Sequence, residues 1–139
     1  MAKSRIYLDT NIVVDFLISD RKTHLAAVSL FQTLDAYEVF ISEDMLTTIF
    51  YLDRKKSQVL SFFKKIVINK WHVSAFGTEV IHNAIDLSLE NNLDFEDVLQ
   101  CLCAKANHCD YLITNDKVFY NCGLTIVSTD EFLQQQKKL

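Results

Sequence analysis

No proline occurs anywhere in the chain, and only two glycines, Gly77 and Gly123, are available to bend it. Turns must therefore come from Asp, Asn, Ser and Thr, whose side chains bond their own backbone. A Gly-x-Gly-x-x-Gly run is missing as well, which argues against dinucleotide binding. No apolar run reaches the roughly 18 residues that span a bilayer, and Met1-Ala2-Lys3-Ser4-Arg5 leads directly into a short apolar strand with no signal-peptide core. The expectation is a soluble, cytoplasmic protein with no membrane partner. The cysteines Cys101, Cys103, Cys109 and Cys122 lack the C-x2-C spacing of a zinc site or a thiol redox motif. They are expected to be reduced and mostly buried. The four histidines are scattered and read as structural or surface residues. Positive charge is the minority: 14 basic against 18 acidic residues leaves a net charge of -4. That composition is poor for binding phosphates, unless clustered carboxylates hold divalent cations and reverse the local field.

What the chain does have is apolar material. Half of its 139 residues are hydrophobic and 23% are charged. This suits a single domain over 1–139 that needs neither disulfides nor a structural metal. The apolar strands are Arg5–Leu8, Val39–Ile41, Trp71–Ala75, Tyr111–Thr114 and Leu124–Val127. Helical periodicity covers Thr10–Ile18, His24–Tyr37, a stretch from Ser42 to about Asp53, Ser57–Ile68, Thr78–Glu90, Phe95–Asn107 and a short last helix capped by Thr129 through Leu133. Ser42 reads as an N-cap, and Val98, Leu99, Leu102 and Ala106 as the inner stripe of their helix. Strands that are apolar throughout, separated by helices, predict an α/β fold. It has three layers, α/β/α, around a mostly parallel sheet of about five strands.

Acids recur at equivalent places. Asp9 follows the first strand in Tyr7-Leu8-Asp9-Thr10-Asn11. Asp116 follows the fourth in Leu112-Ile113-Thr114-Asn115-Asp116. Asp97 lies in the first turn of a helix, in Asp94-Phe95-Glu96-Asp97. Ligands of open α/β sheets bind beyond the carboxyl ends of the strands. Converging carboxylates repel one another unless a cation neutralises them, and hard oxygen donors favour Mg2+ or Mn2+. Each acid also has a plainer reading as a helix cap or dipole partner. Asn11 and Asp15 share a helix face. Asn11 is a candidate to orient Asp9 or reach a metal-bound water, and Asp15 either extends the acidic patch or is solvated. Thr114 is a candidate hydrogen-bond partner of Asp9. Asp94 reads as the cap of its helix, with metal neighbour as the other reading.

Three segments together resemble the PIN (PilT N-terminus) domain family, in the family's order and across nearly the whole chain. They are residues 7–17, residues 94–100 with Ala104, and residues 109–116 with Val118-Phe119. The resemblance, similar to VapC-type toxin ribonucleases, implies a metal-dependent ribonuclease with Asp9, Asp97 and Asp116 as metal-binding acids. It also implies an RNA substrate, cleavage leaving a 5′-phosphate and a 3′-hydroxyl, and an antitoxin partner covering a hydrophobic groove. Phe50, Tyr51 and Phe62-Phe63 are candidates for that surface or for a homodimer interface. One departure stands out. Many members carry a glutamate where this chain has Thr48, so Asp44, one turn earlier, or Glu43 is left to supply the charge. The expected chemistry is metal-assisted hydrolysis of an RNA phosphodiester, with Arg54, Lys55, Lys56, Lys64, Lys65 and Lys117 as candidate backbone contacts. The alternative is a catalytically weakened PIN domain that binds RNA or protein without cutting. Haloacid-dehalogenase-type phosphatases want Asp-x-Asp after the first strand, and Asp9-Thr10-Asn11 does not supply it.

Overall fold

In the computed structural model, which describes residues 2–137, five strands form one parallel sheet: β1 (Arg5–Leu8), β2 (Glu38–Ser42), β3 (His72–Ser74), β4 (Tyr111–Ile113) and β5 (Thr125–Val127). Their order is β3-β2-β1-β4-β5. Tyr7 pairs with Phe40 on one side and Leu112 on the other. Side chains on both faces of such a sheet are covered, so β1 reads Ile6-Tyr7-Leu8 without a polar break, and all three are fully buried. Each large aliphatic side chain removed from water contributes about 1.5–3 kcal/mol. Ile12, Val13, Leu30, Ile41, Met45, Ile49, Leu112 and Ile113 are among the largest fully buried side chains of the same core.

The helices are α1 (Thr10–Leu17), α2 (His24–Phe31), α3 (Asp44–Leu52), α4 (Lys56–Phe62), α5 (Ile68–Lys70), α6 (Gly77–Asn91), α7 (Phe95–Ala106) and α8 (Thr129–Lys137). A π-helical turn, Phe63–Val67, joins α4 to α5. The second helix is shorter than its sequence pattern suggests, because a 3-10 turn over Leu34–Ala36 takes up the rest. Ser42 ends β2 rather than capping α3, which starts without a side-chain cap. The last helix is capped by Ser128, not Thr129. The Ser128 Oγ accepts from the Glu131 N–H at 3.1 Å, and the Glu131 carboxylate accepts from the Ser128 N–H at 3.0 Å. This reciprocal pair satisfies two orphan donors, and the helix runs past Leu133 to Lys137. Scarcity of glycine shows directly: Asn92 (φ 51°) ends α6 in the left-handed conformation usually given to glycine.

The α7 stripe also differs from expectation. Val98, Leu99, Gln100, Cys101, Cys103 and Ala104 are buried, whereas Ala106 is exposed. This helix is covered on two sides, by the sheet and by α6, so more than one stripe faces inward. Cys101 is joined to Cys122 by a disulfide with Cα atoms 6.1 Å apart, which corrects the expectation of four reduced cysteines. The segment between β4 and β5 folds back over α7 and brings Cys122 to it, a contact that sequence spacing does not signal. Cys103 and Cys109 are free and buried.

Candidate metal-binding and active site

Consecutive crossovers carry the chain from β1 outward to β2 and β3, then back past β1 to β4 and β5. The order therefore reverses between β1 and β4, and Asp9 and Asp116 follow those two strands. This is the switch point where open α/β sheets hold ligands. The Asp9 backbone N–H donates to the Ile113 carbonyl at 3.0 Å, which pins Asp9 to β4. One of its carboxylate oxygens accepts from the Thr10 N–H at 2.8 Å, and the other accepts from the Thr114 hydroxyl at 2.7 Å. Thr114 in turn accepts from the Asp116 N–H at 3.1 Å. A single threonine thus links the two acids. The Asp116 carboxylate accepts from the Val118 N–H at 3.0 Å and is otherwise turned to solvent. Asp97 enters from the first turn of α7, where Asp94 caps the helix by accepting from the Asp97 N–H at 3.0 Å.

Electrostatics tie these groups together. Burial, followed among the charges by Asp94, Asp9, Asp116 and Glu96, pushes the Asp97 carboxyl up to about 7. Burial also raises Asp9, against the lowering effect of its bonds from Thr114 and Thr10, with Asp116 and Asp15 adding to the rise. Among the described residues none of Asp9, Asp97 and Asp116 takes part in an ion pair. Among the same residues no three carboxylate, imidazole or thiol groups are arranged to hold an ion as they stand. Like charges without a counter-ion repel one another. The donor set fits a hard divalent cation: all oxygens, with the Asp9 and Asp97 carboxyls raised first by burial and then by neighbouring acids.

The other sequence candidates separate into groups. Thr114 bonds Asp9, as expected. Asn11 is exposed and does not bond Asp9; the Thr10 N–H and Thr114 orient that carboxylate instead. Asp15 neither extends the patch into solvent nor lies free. It is buried and accepts from Arg21 Nε at 3.0 Å and from the Thr23 hydroxyl. Glu43 and Asp44 are exposed at the start of α3, and Thr48 is half-buried one turn on. Lys56 is committed to the end of α3, donating to the carbonyls of Phe50 and Tyr51 and lying 4.7 Å above the Phe50 ring. Arg54 and Lys55 line a separate concavity with Leu17, Ile18 and Asp20. Lys117, exposed beside Asp116, lines a concavity of about 420 Å³ with Thr114, Asp116, Ser128 and Glu131. Sequence patterns do not single out Glu96, which is exposed in the first turn of α7. Partial burial first, then Asp44, Asp9 and Asp94, raises its carboxyl.

Comparison with known proteins agrees with the fold. The family model described as PIN domain matches residues 5–118. The chain is 31% identical over 145 residues to "Ribonuclease VapC1" of Aquifex aeolicus (strain VF5), with both chains covered in full. Among solved structures, the sarcin-ricin-loop-cleaving toxin VapC20 of Mycobacterium tuberculosis superposes with a TM-score of 0.72 at 14% identity, covering 86% of this chain and 96% of that one. VapBC2 of Rickettsia felis, bound to a DNA fragment from its promoter, gives 0.64 at 20% identity, covering 89% and 98%. A Klebsiella pneumoniae toxin–antitoxin complex gives 0.67 at 19% identity, covering 89% and 97%. At these identities the structural likeness establishes the fold.

Proposed function

Since the chain belongs to the PIN-domain family, we propose that it is a divalent-metal-dependent endoribonuclease and the toxin of a toxin–antitoxin pair. The observation that carries this reading is the acidic edge at the β1/β4 switch point, where Asp97 is held near 7 by burial and neighbouring acids. Asp9, Asp97 and Asp116 are the residues assigned to hold Mg2+ or Mn2+. Such an ion supplies Lewis acidity and lowers the pKa of water, so no side chain has to act as the nucleophile. The chain's own residues bind and orient. Thr114 fixes the Asp9 carboxylate and, through the Asp116 N–H, the loop that carries Asp116. Lys117, free at the surface beside the acids, is the cation best placed for an RNA phosphate. Lys56 is not, because its ammonium already bonds two carbonyls.

The antitoxin is assigned to an apolar groove of about 300 Å³ lined by Phe16, Phe31, Phe62, Ile66 and Trp71. Phe16 and Phe31 stack there at 3.9 Å, which leaves ring edges and faces available to an apolar segment. Cleavage of labelled single-stranded RNA tests the activity, with Mn2+, Mg2+ or EDTA and beside Asp97→Asn. The expected result is metal-dependent cutting that falls at least about 100-fold in the variant. A folded protein that binds RNA and cuts it in no metal would instead be the weakened, non-catalytic domain that Thr48 favours.

A further inference from the structure

Parallel neighbours in a sheet are ordinarily joined by a crossover that contains a helix. Here β4 and β5 are parallel neighbours, and residues 114–124 between them form no helix. From Lys117 to Gly123 the backbone has few fixed partners. The Val118 and Phe119 N–H groups bond back to Asp116, and the Gly123 N–H donates to the Asn121 side chain at 2.8 Å. Among the described residues, the hydrogen bonds that tie this stretch to α7 converge on Cys122. Its carbonyl accepts from Lys105 Nζ at 3.2 Å, and its N–H donates to Cys101 Sγ at 3.2 Å. Phe119 and Tyr120 add half-buried packing. The Cys101–Cys122 bond is thus the strongest of a small set of fastenings on an irregular strap. Segments held by so few contacts open at low free-energy cost.

The two ends of the bond differ in access. Cys101 is fully buried on α7, whereas Cys122 is half-buried on the strap, so an incoming thiol meets the Cys122 sulfur first. The other two cysteines offer no alternative pairing. Cys103 lies about 200° around the helix from Cys101 and accepts from Asn107 Nδ2 at 3.7 Å. Cys109 is buried, which pushes its thiol up to about 12 and keeps it from acting as a thiolate. The link therefore has two states, joined and reduced.

We propose that the Cys101–Cys122 bond is a thiol-sensitive fastening: its reduction frees residues 117–123 from α7, takes Lys117 out of its fixed place and weakens the hold on RNA. The RNA part rests on the nuclease reading above; the opening of the strap does not. A dithiol supplies both electrons. Its first sulfur bonds to Cys122, the disulfide breaks, and the Cys101 sulfur leaves and takes a proton. Its second sulfur then displaces Cys122 as a thiol and closes a disulfide within the reductant. Opening starts beyond Asp116, because the Asp116 N–H is bonded to Thr114 at 3.1 Å on the β4 side. The plain competitor is a cross-link that stabilises the whole fold and governs no local opening.

The full chain is compared oxidised, reduced with dithiothreitol and desalted, and reoxidised with glutathione disulfide, beside Cys122→Ser and Lys117→Ala. Thiol counting in denaturant fixes each state, and circular dichroism shows that each is folded. Reduction should speed both trypsin cutting at the Lys117–Val118 bond and amide exchange over 117–123 by about tenfold or more. Reoxidation should restore both. In RNA cleavage with Mn2+, reduction should raise KM about threefold and leave kcat little changed. Cys122→Ser should match the reduced chain with or without dithiothreitol. Lys117→Ala should start with the raised KM and lose its response to reduction. Equal trypsin cutting and exchange in the two states, or a bond that dithiothreitol leaves intact in the folded chain, would overturn the proposal. An opened strap with unchanged KM would overturn its part in RNA binding. A chain that opens on reduction but cuts no RNA in any state would overturn the nuclease reading and leave the strap standing.

Discussion

At the amino end of the sheet, Arg5 pairs with Glu38 at 3.2 Å, donates to the Asn107 carbonyl at 3.0 Å and lies 5.5 Å above the Phe40 ring. Its backbone N–H donates to the Asp110 carboxylate at 2.8 Å, and His72 adds a second contact to Glu38 at 3.5 Å. At the carboxyl end, Asp9, Asp97 and Asp116 meet no such cation among the described residues. The same residue types thus serve opposite ends in opposite ways. Satisfied acids stabilise one edge; at the other, acids are held together at a cost that a bound divalent ion would offset. Removing a charge should therefore lower stability at the amino end and raise it at the carboxyl end.

The largest effect is expected between the two ends. The segment after Asp116 returns the chain from the carboxyl edge to β5, and Cys122 fastens it to Cys101 on α7. Cross-links that close loops of this size restrict the unfolded chain. Cys122→Ser should cost about 3 kcal/mol in urea unfolding, with Mn2+ affinity changed by less than about twofold. A larger loss of affinity would mean that the cross-link positions Asp116, and the two ends would no longer be separable. Next comes Arg5→Ala, expected to cost about 1 kcal/mol, because its ion pair is half-exposed while its bonds to Asn107 and Phe40 are partly buried. Mn2+ binding should not change. A stability loss together with weakened Mn2+ binding would show that the ends are coupled through β1.

How much of this was readable in the chain depends on whether the cause is local. The strands are legible to within a residue or two because each is a short apolar run bounded by polar residues: Arg5–Leu8 coincides, and Tyr111–Thr114 is long by one. The switch-point acids and the Thr114 partner are legible because strand ends recur. What lies outside the sequence reading depends on contacts distant in the chain. Asp15 is buried because Arg21 and Thr23 turn back onto it. The last helix outruns its apolar pattern because Phe132 packs on Tyr37 and Tyr111, and Gln136 donates to the Tyr37 hydroxyl at 2.6 Å. The Cys101–Cys122 bond has no spacing signal.

The smallest effect is the most direct test of the contrast, because it uses pH alone. Asp97, Asp9 and Glu96 all have carboxyls raised in the folded protein, Asp97 to about 7 from 3.8. Between roughly pH 4 and 7 the folded chain therefore holds more protons than the unfolded one, and stability falls as pH rises through that window. Below it both states are protonated and the cost vanishes; above it the cost is complete. In EDTA the melting temperature should drop by a few degrees between pH 5 and 7.5, a shift that solvent screening of the half-exposed Asp97 keeps small. Asp97→Asn should flatten most of that slope and melt slightly higher than the unaltered protein at pH 7.5. Mn2+ should act in the opposite sense, stabilising the unaltered protein more as pH passes 7, because carboxylates bind metal only after losing their protons. A melting temperature in EDTA that rises over this range, as amino-end pairs would produce, would mean that the carboxyl edge is not repulsive. The absence of basic partners there would then have no energetic consequence.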